Sequence, residues 1–105
     1  METSELKLEW HEPKRLKTMA ERGLDFGLAR EVLLDPEVKE YVDNRKDYGE
    51  IRYRAYGLCS GTCLAVTYTM RDDMHRIISV RKVHQKEREI YYERKPREGQ
   101  VAGSD

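Results

Sequence analysis

Arginine recurs through the second half of the chain at Arg52, Arg54, Arg71, Arg76, Arg81 and Arg88, joined by Lys82 and Lys86. A guanidinium keeps its charge at any physiological pH and contacts two phosphate oxygens at once, so it can grip a phosphodiester and stabilise the extra charge of a phosphorane. Period-two alternation places Arg52, Arg54, Tyr56, Thr67, Thr69, Ser79 and Arg81 on one side of a sheet. Tyr53, Ala55, Leu64, Val66, Tyr68, Ile78 and Val80 fall on the other side, toward the helices. The first set makes a polar, basic face on which Tyr56 is placed to stack a base. Ordinary solvent exposure of one face of an antiparallel sheet explains the same pattern, and both readings stay open. Arg76 falls on the opposite parity, at the start of its strand.

Metal chemistry has little to work with. Cys59 and Cys63 have no second Cys or His pair at the spacing of a structural zinc site, and His11, His75 and His84 are scattered. No metal and no cofactor is expected. The two thiols are expected free, with a disulfide across a hairpin as the alternative.

The elements that must position these groups are set by local signals. A length of 105 residues, 38% hydrophobic and 38% charged, suffices for one core and is too short for two. Leu6, Leu8 and Trp10 alternate as a short strand. Pro13, then Leu16, Met19 and Ala20, with Gly23 as C-cap, predict a first helix. Asp25 is the N-cap of a second helix from Phe26 to Leu34, stopped by Asp35 and Pro36. Residues 38 to 49 are polar and predict an ordered loop pinned by Tyr41, Val42 and Tyr48. Ile51 to Leu58, Cys63 to Thr69 and Arg76 to Arg81 predict three strands in an antiparallel meander. Val83 to Tyr92 returns to helical period, and a disordered tail is expected over residues 96 to 105.

Net charge is zero and the pI is near 6.8, unlike the usual histone-like composition. The charge is uneven: residues 1 to 50 carry 9 basic and 13 acidic groups, residues 51 to 105 carry 11 and 7. A local basic surface can attract phosphate while distant acids are screened over about 8 to 10 Å. No apolar run reaches the roughly 18 to 20 residues of a membrane span, and the N-terminus lacks the apolar stretch of a secretory signal. No membrane association and a cytoplasmic location are expected.

Four segments taken in order resemble the BrnT family of type II toxins, small ribonucleases of RelE-like fold. They are Trp10 with Pro13, Lys14 and the run Arg22 to Leu24; Phe26 to Pro36; Asp43 to Arg52; and Arg76 to Val83 with Glu87, Arg88 and Tyr91. The resemblance spans about residues 8 to 92. It implies an α+β fold with a small antiparallel sheet, two N-terminal helices and a C-terminal helix, as a single domain over residues 1 to 95. It also implies a ribonuclease toxin that inhibits translation, works on mRNA with the ribosome as one setting, and is neutralised by a BrnA-like antitoxin in a complex holding a toxin pair.

With no ligand set for a metal, RNA cleavage points to attack by the substrate's own 2′-hydroxyl. That route needs backbone positioning, charge stabilisation, a proton acceptor and a proton donor. Arg81, at the end of a strand in the matched closing segment, is the first candidate for charge stabilisation, and Arg52 is the second. Glu50 is the candidate proton acceptor, and Tyr91 is placed to orient or donate a proton. Lys14, Arg45, Arg54, Tyr56, Arg76 and Ser79 are the candidate RNA-binding residues. The chain departs from the family's usual residues at His11, Thr18 and Arg22. These departures motivate an alternative, a weak or inactive binding module that serves as corepressor with its antitoxin.

Overall fold

The computed structural model describes residues 6–93. The tail expected at 96 to 105 lies outside them. Strands β1 (Leu8–Trp10), β2 (Lys39–Asp43), β3 (Arg52–Cys59), β4 (Thr62–Arg71) and β5 (Met74–Lys82) make one sheet in the order β1-β5-β4-β3-β2. Helices α1 (Glu12–Arg22), α2 (Ala29–Leu34) and α3 (Gln85–Tyr92) flank it. The fold is α+β.

The punctuation residues act as their chemistry predicts. Pro13 sits in the first turn of α1, and Gly23 ends that helix at φ +71°, donating its N–H to the Met19 carbonyl at 2.9 Å. The Asp25 carboxylate accepts from the Gly27 N–H at 3.0 Å, although the helix it caps opens as a tighter 3₁₀ turn, Phe26–Leu28, before α2 proper. Ser60 and Gly61 both adopt positive φ, at 50° and 82°, which gives the two-residue β3–β4 hairpin the twist its strands need.

Three expectations are corrected. The segment expected as a loop contains β2, which pairs antiparallel with β3 from Lys39↔Tyr56 to Asp43↔Arg52. It is an edge strand with little burial, so hydrophobic alternation could not announce it. The sheet is mixed, because β1 joins β5 in parallel. Finally, the register slips between Thr67 and Tyr68, where β5 carries one extra residue, Ile78. Ile77, paired with Tyr68, is therefore the core residue at 2% exposure, and the parity of β5 reverses toward Arg76.

Both faces of the sheet are packed. On one, Phe26, Ala29 and Val32 meet Ala55, Leu64, Val66, Tyr68, Ile77 and Val80, with Trp10 edge-on to Phe26. Burying Phe26, Val32, Val66 and Val80 contributes roughly 1.5–3 kcal/mol for each side chain. On the other, α3 lays Tyr91 and Ile90 over Tyr56, Cys63 and Ala65. Cys59 and Cys63 belong to opposite packed faces and are free, buried thiols. Burial pushes both thiol pKa values up.

Gly57 marks the closest approach of α2 to the sheet: a Cβ built there would stand 2.6 Å from the Val32 carbonyl oxygen. Gly57→Ala should therefore cost about 2–4 kcal/mol in urea denaturation. Gly27→Ala, whose Cβ would meet nothing nearer than 3.7 Å, should stay within about 1 kcal/mol of the parent. Equal stabilities would contradict the close packing of α2.

Candidate nucleic-acid interface

The face beneath α3 is organised as three cross-strand rungs. Arg52, Thr69 and Arg76 align in the first; Arg54, Thr67 and Ser79 in the second; Tyr56, Ala65 and Arg81 in the third. The extra residue Ile78 brings Arg76 onto this face, opposite to the parity expected from alternation.

The first rung opens into a cavity of about 220 Å³ lined by Lys14, Glu50, Arg52, Thr69, Arg71 and Arg76, with His11 at the start of α1. Arg52 Nε donates to Glu50 Oε2 at 3.0 Å, and its guanidinium lies 4.2 Å from the centre of the Tyr48 ring. Arg76 pairs with Glu9 at 3.3 Å across the parallel β1–β5 register. Thr69 is buried and donates its hydroxyl to the Ile51 carbonyl at 2.6 Å, fixing the strand between the two arginines. Partial burial, and then the charges of Arg52, Arg22 and Lys17, push the Lys14 ammonium pKa down. Four cations thus face one carboxylate in the lining, which suits a phosphate group.

The third rung is differently committed. Arg81 makes a two-pronged ion pair with Glu87 on α3, at 2.8 and 2.7 Å. Glu87 also accepts from the His84 backbone N–H at 2.8 Å, which fixes the first turn of α3, and from the Tyr56 hydroxyl at 3.4 Å. Arg54 reaches Glu87 at 3.7 Å and the buried Asp43 carboxylate at 3.5 Å. Arg45 binds Asp43 through two nitrogens, both at 2.8 Å. Hydrogen bonds and charge from Arg45, with Arg54 beyond, hold the Asp43 carboxyl well below its usual range. The Arg81 hydrogen bonds hold that of Glu87 at about 2.

Tyr91 lies apart from both groups. Its hydroxyl donates to Asp35 at 2.5 Å, and the same carboxylate accepts the Leu58 N–H at 2.8 Å, just where β2 has ended beside β3. The shared Asp35 ties α3 to the end of α2. Lys39 caps this same C-terminal end of α3, donating to the Tyr91 and Glu93 carbonyls at 2.8 and 3.1 Å.

Of the expected site residues, Lys14, Glu50, Arg52 and Arg76 share the first cavity. Arg45, Arg54 and Tyr56 line a second. Arg81 belongs to neither lining and is paired internally, Ser79 is half-buried in the middle rung, and Tyr91 is packed against Asp35. The face expected to be open is covered by α3 along the third rung. Arg71 and Thr69 join the first cavity without having been singled out as site residues; the alternation that set Thr69 on this face extends two residues along β4 to Arg71. Two departures from the family pattern have structural work: Thr18 is buried, and Arg22 donates to the Val80 carbonyl at 3.0 Å, docking α1 on β5.

An α+β chain with a cationic cavity set into one sheet face defines a protein equipped to hold anionic ligands. Residues 10–87 match the family described as the ribonuclease toxin BrnT of type II toxin-antitoxin systems. The chain belongs to that family, and a type II system implies an antitoxin partner. Among curated proteins none matches the chain. No helix among the described residues is long and apolar enough to cross a membrane.

Because the Glu87 carboxyl is held near 2 in the folded chain against 4.5 ordinarily, its contribution to stability is fully present above about pH 4.5 and is lost as the pH falls toward 2. Its size is ~3 kcal/mol at neutral pH. Urea denaturation should show Glu87→Gln less stable by about that amount at pH 7, with the gap closing as the pH is lowered through that window. A gap independent of pH would mean that the carboxylate's charge is not what holds α3.

Proposed function

We propose that the chain cleaves RNA in the Lys14–Arg52–Arg76 cavity by attack of the 2′-hydroxyl on the adjacent phosphorus, inhibiting translation until a BrnA-like antitoxin binds. The alignment of Arg52, Thr69 and Arg76 in one rung, opposite Lys14, carries this reading. Two guanidiniums from the strands on either side of β4 can converge on both non-bridging oxygens as charge builds on the phosphorane. Glu50, beside Arg52, accepts the 2′-hydroxyl proton. Lys14, with its lowered pKa, gives a proton to the departing 5′-oxygen. The products are a 2′,3′-cyclic phosphate and a 5′-hydroxyl, and no metal enters the steps.

Arg81 and Tyr91 then act as positioning residues, holding α3 through Glu87 and Asp35. The RelE-like assignment belongs to this reading, supported by the β3–β4–β5 meander with helices before and after it. So do the mRNA target, in ribosomes or free, and a toxin pair within the antitoxin complex.

Purified chain in chelator should cut single-stranded RNA to cyclic-phosphate ends. Arg52→Ala and Arg76→Ala should each lower the rate about 10²- to 10³-fold with the fold intact. Arg81→Ala should instead destabilise the fold by about 3–5 kcal/mol, because Glu87 is left buried beside a weaker partner. Tight antitoxin binding with RNA left intact by the parent chain would replace the enzyme reading with the corepressor one.

A further inference from the structure

A second cavity, of about 320 Å³, lies on the same sheet face, between β2 and α3, and the cleavage chemistry makes no use of it. Tyr41, Val42, Tyr56 and Ile90 give it apolar and aromatic walls. Asp43, Arg45 and Arg54 supply the polar groups. Resting on the cleavage reading above, we infer that this cavity is a nucleobase subsite, receiving an unstacked base that neighbours the phosphate held in the first cavity.

Position comes first. Arg52 lines the first cavity and Arg54 the second, and the two stand on one face of β3 two residues apart, about 6.6 Å along the strand. A phosphate seated on Arg52 therefore leaves a neighbouring nucleotide within reach of the Tyr41–Tyr56 side. Shape comes second. Tyr41, about half exposed at 47%, lies 6.1 Å from Tyr56 between ring centres at an interplanar angle of 51°, so Tyr41 offers an open aromatic face to a flat group and the buried Tyr56 backs it.

Hydrogen bonding comes third. Arg54 spends its two terminal nitrogens on Tyr56, Asp43 and Glu87, yet its Nε is buried with no acceptor. An unmatched buried donor is costly, and because the Arg54 side chain lines the cavity, a ring nitrogen or carbonyl of a base that draws this side chain toward it would satisfy the donor. The charge balance argues against the other occupants. Asp43 and Glu93 stand in the lining beside Arg45 and Arg54, so the cavity is not a net cationic hole for a bare phosphate or an acidic peptide. A base carries both donors and acceptors to meet such a mixed set.

The test pairs cleavage with binding. Tyr41→Ala should lower kcat/KM on a heptanucleotide about five- to a hundredfold, the worth of one stacked base, while leaving cleavage of an abasic ribose-phosphate strand of the same length within about twofold. An equal loss on both substrates, or no loss on either, would overturn the subsite. Binding is read separately, by fluorescence anisotropy with a 2′-O-methyl RNA heptanucleotide and an abasic strand of the same length. The parent chain should bind the base-bearing strand at least about fivefold more tightly, and Tyr41→Ala should erase the difference. Equal affinity of the parent for the two strands would sink the subsite even if RNA is cut. The predicted binding difference with no cleavage would keep the subsite and sink the cleavage reading alone.

Discussion

One carboxylate, Glu87, sits among two guanidiniums, a phenol and the backbone N–H of His84, which caps α3. An ion taken this far from water must be matched, or the helix that carries it cannot stay on the sheet. Arg81 supplies two of the bonds from β5 and Tyr56 another from β3, so the helix is registered against two strands at once. The same constraint reaches β2 through Arg54, which stands between Glu87 and Asp43. The polar side of the sheet is therefore tied together by charge, whereas the side facing α2 is packed by Phe26, Val32 and their aliphatic neighbours.

This arrangement divides the basic face. Arg54 on the second rung and Arg81 on the third are matched by carboxylates of β2 and α3 and serve the fold. Those on the first rung face a cavity in which they outnumber the acids. Membership of a ribonuclease toxin family gives that surplus its meaning: a phosphodiester placed there would meet Arg52 and Arg76 from the two strands that flank β4 and Lys14 from α1. An antitoxin that covers this rung would mask the charge without unfolding anything.

The sequence made some of this legible. Caps and breakers at Pro13, Gly23, Asp25 and Pro36 mark α1 and the α2 region because their effects are local, needing no tertiary contact. The meander was readable from turn residues at Ser60 and Gly61 and from apolar alternation. What escaped is non-local. β2 lies at an edge with Tyr41 and Val42 exposed, so burial left no periodic trace. One extra residue at Ile78 reversed the parity of Arg76, which alternation set on the wrong face. The pairing of Arg81 with Glu87 joins a strand to the next helix, and an arginine's type and position alone cannot tell a catalytic charge from a matched one. The resemblance to the family lies in residue identities along the chain, which do not depend on strand register.

On the proposed reading the reacting phosphate lies on the first rung and not on the third. A crystal structure of the chain with an uncleavable 2′-O-methyl RNA tests it most directly. A backbone phosphate should bridge the Arg52 and Arg76 guanidiniums, with the Arg81–Glu87 pair unbroken beneath α3. A phosphate seated on Arg81, with Glu87 displaced, would contradict it.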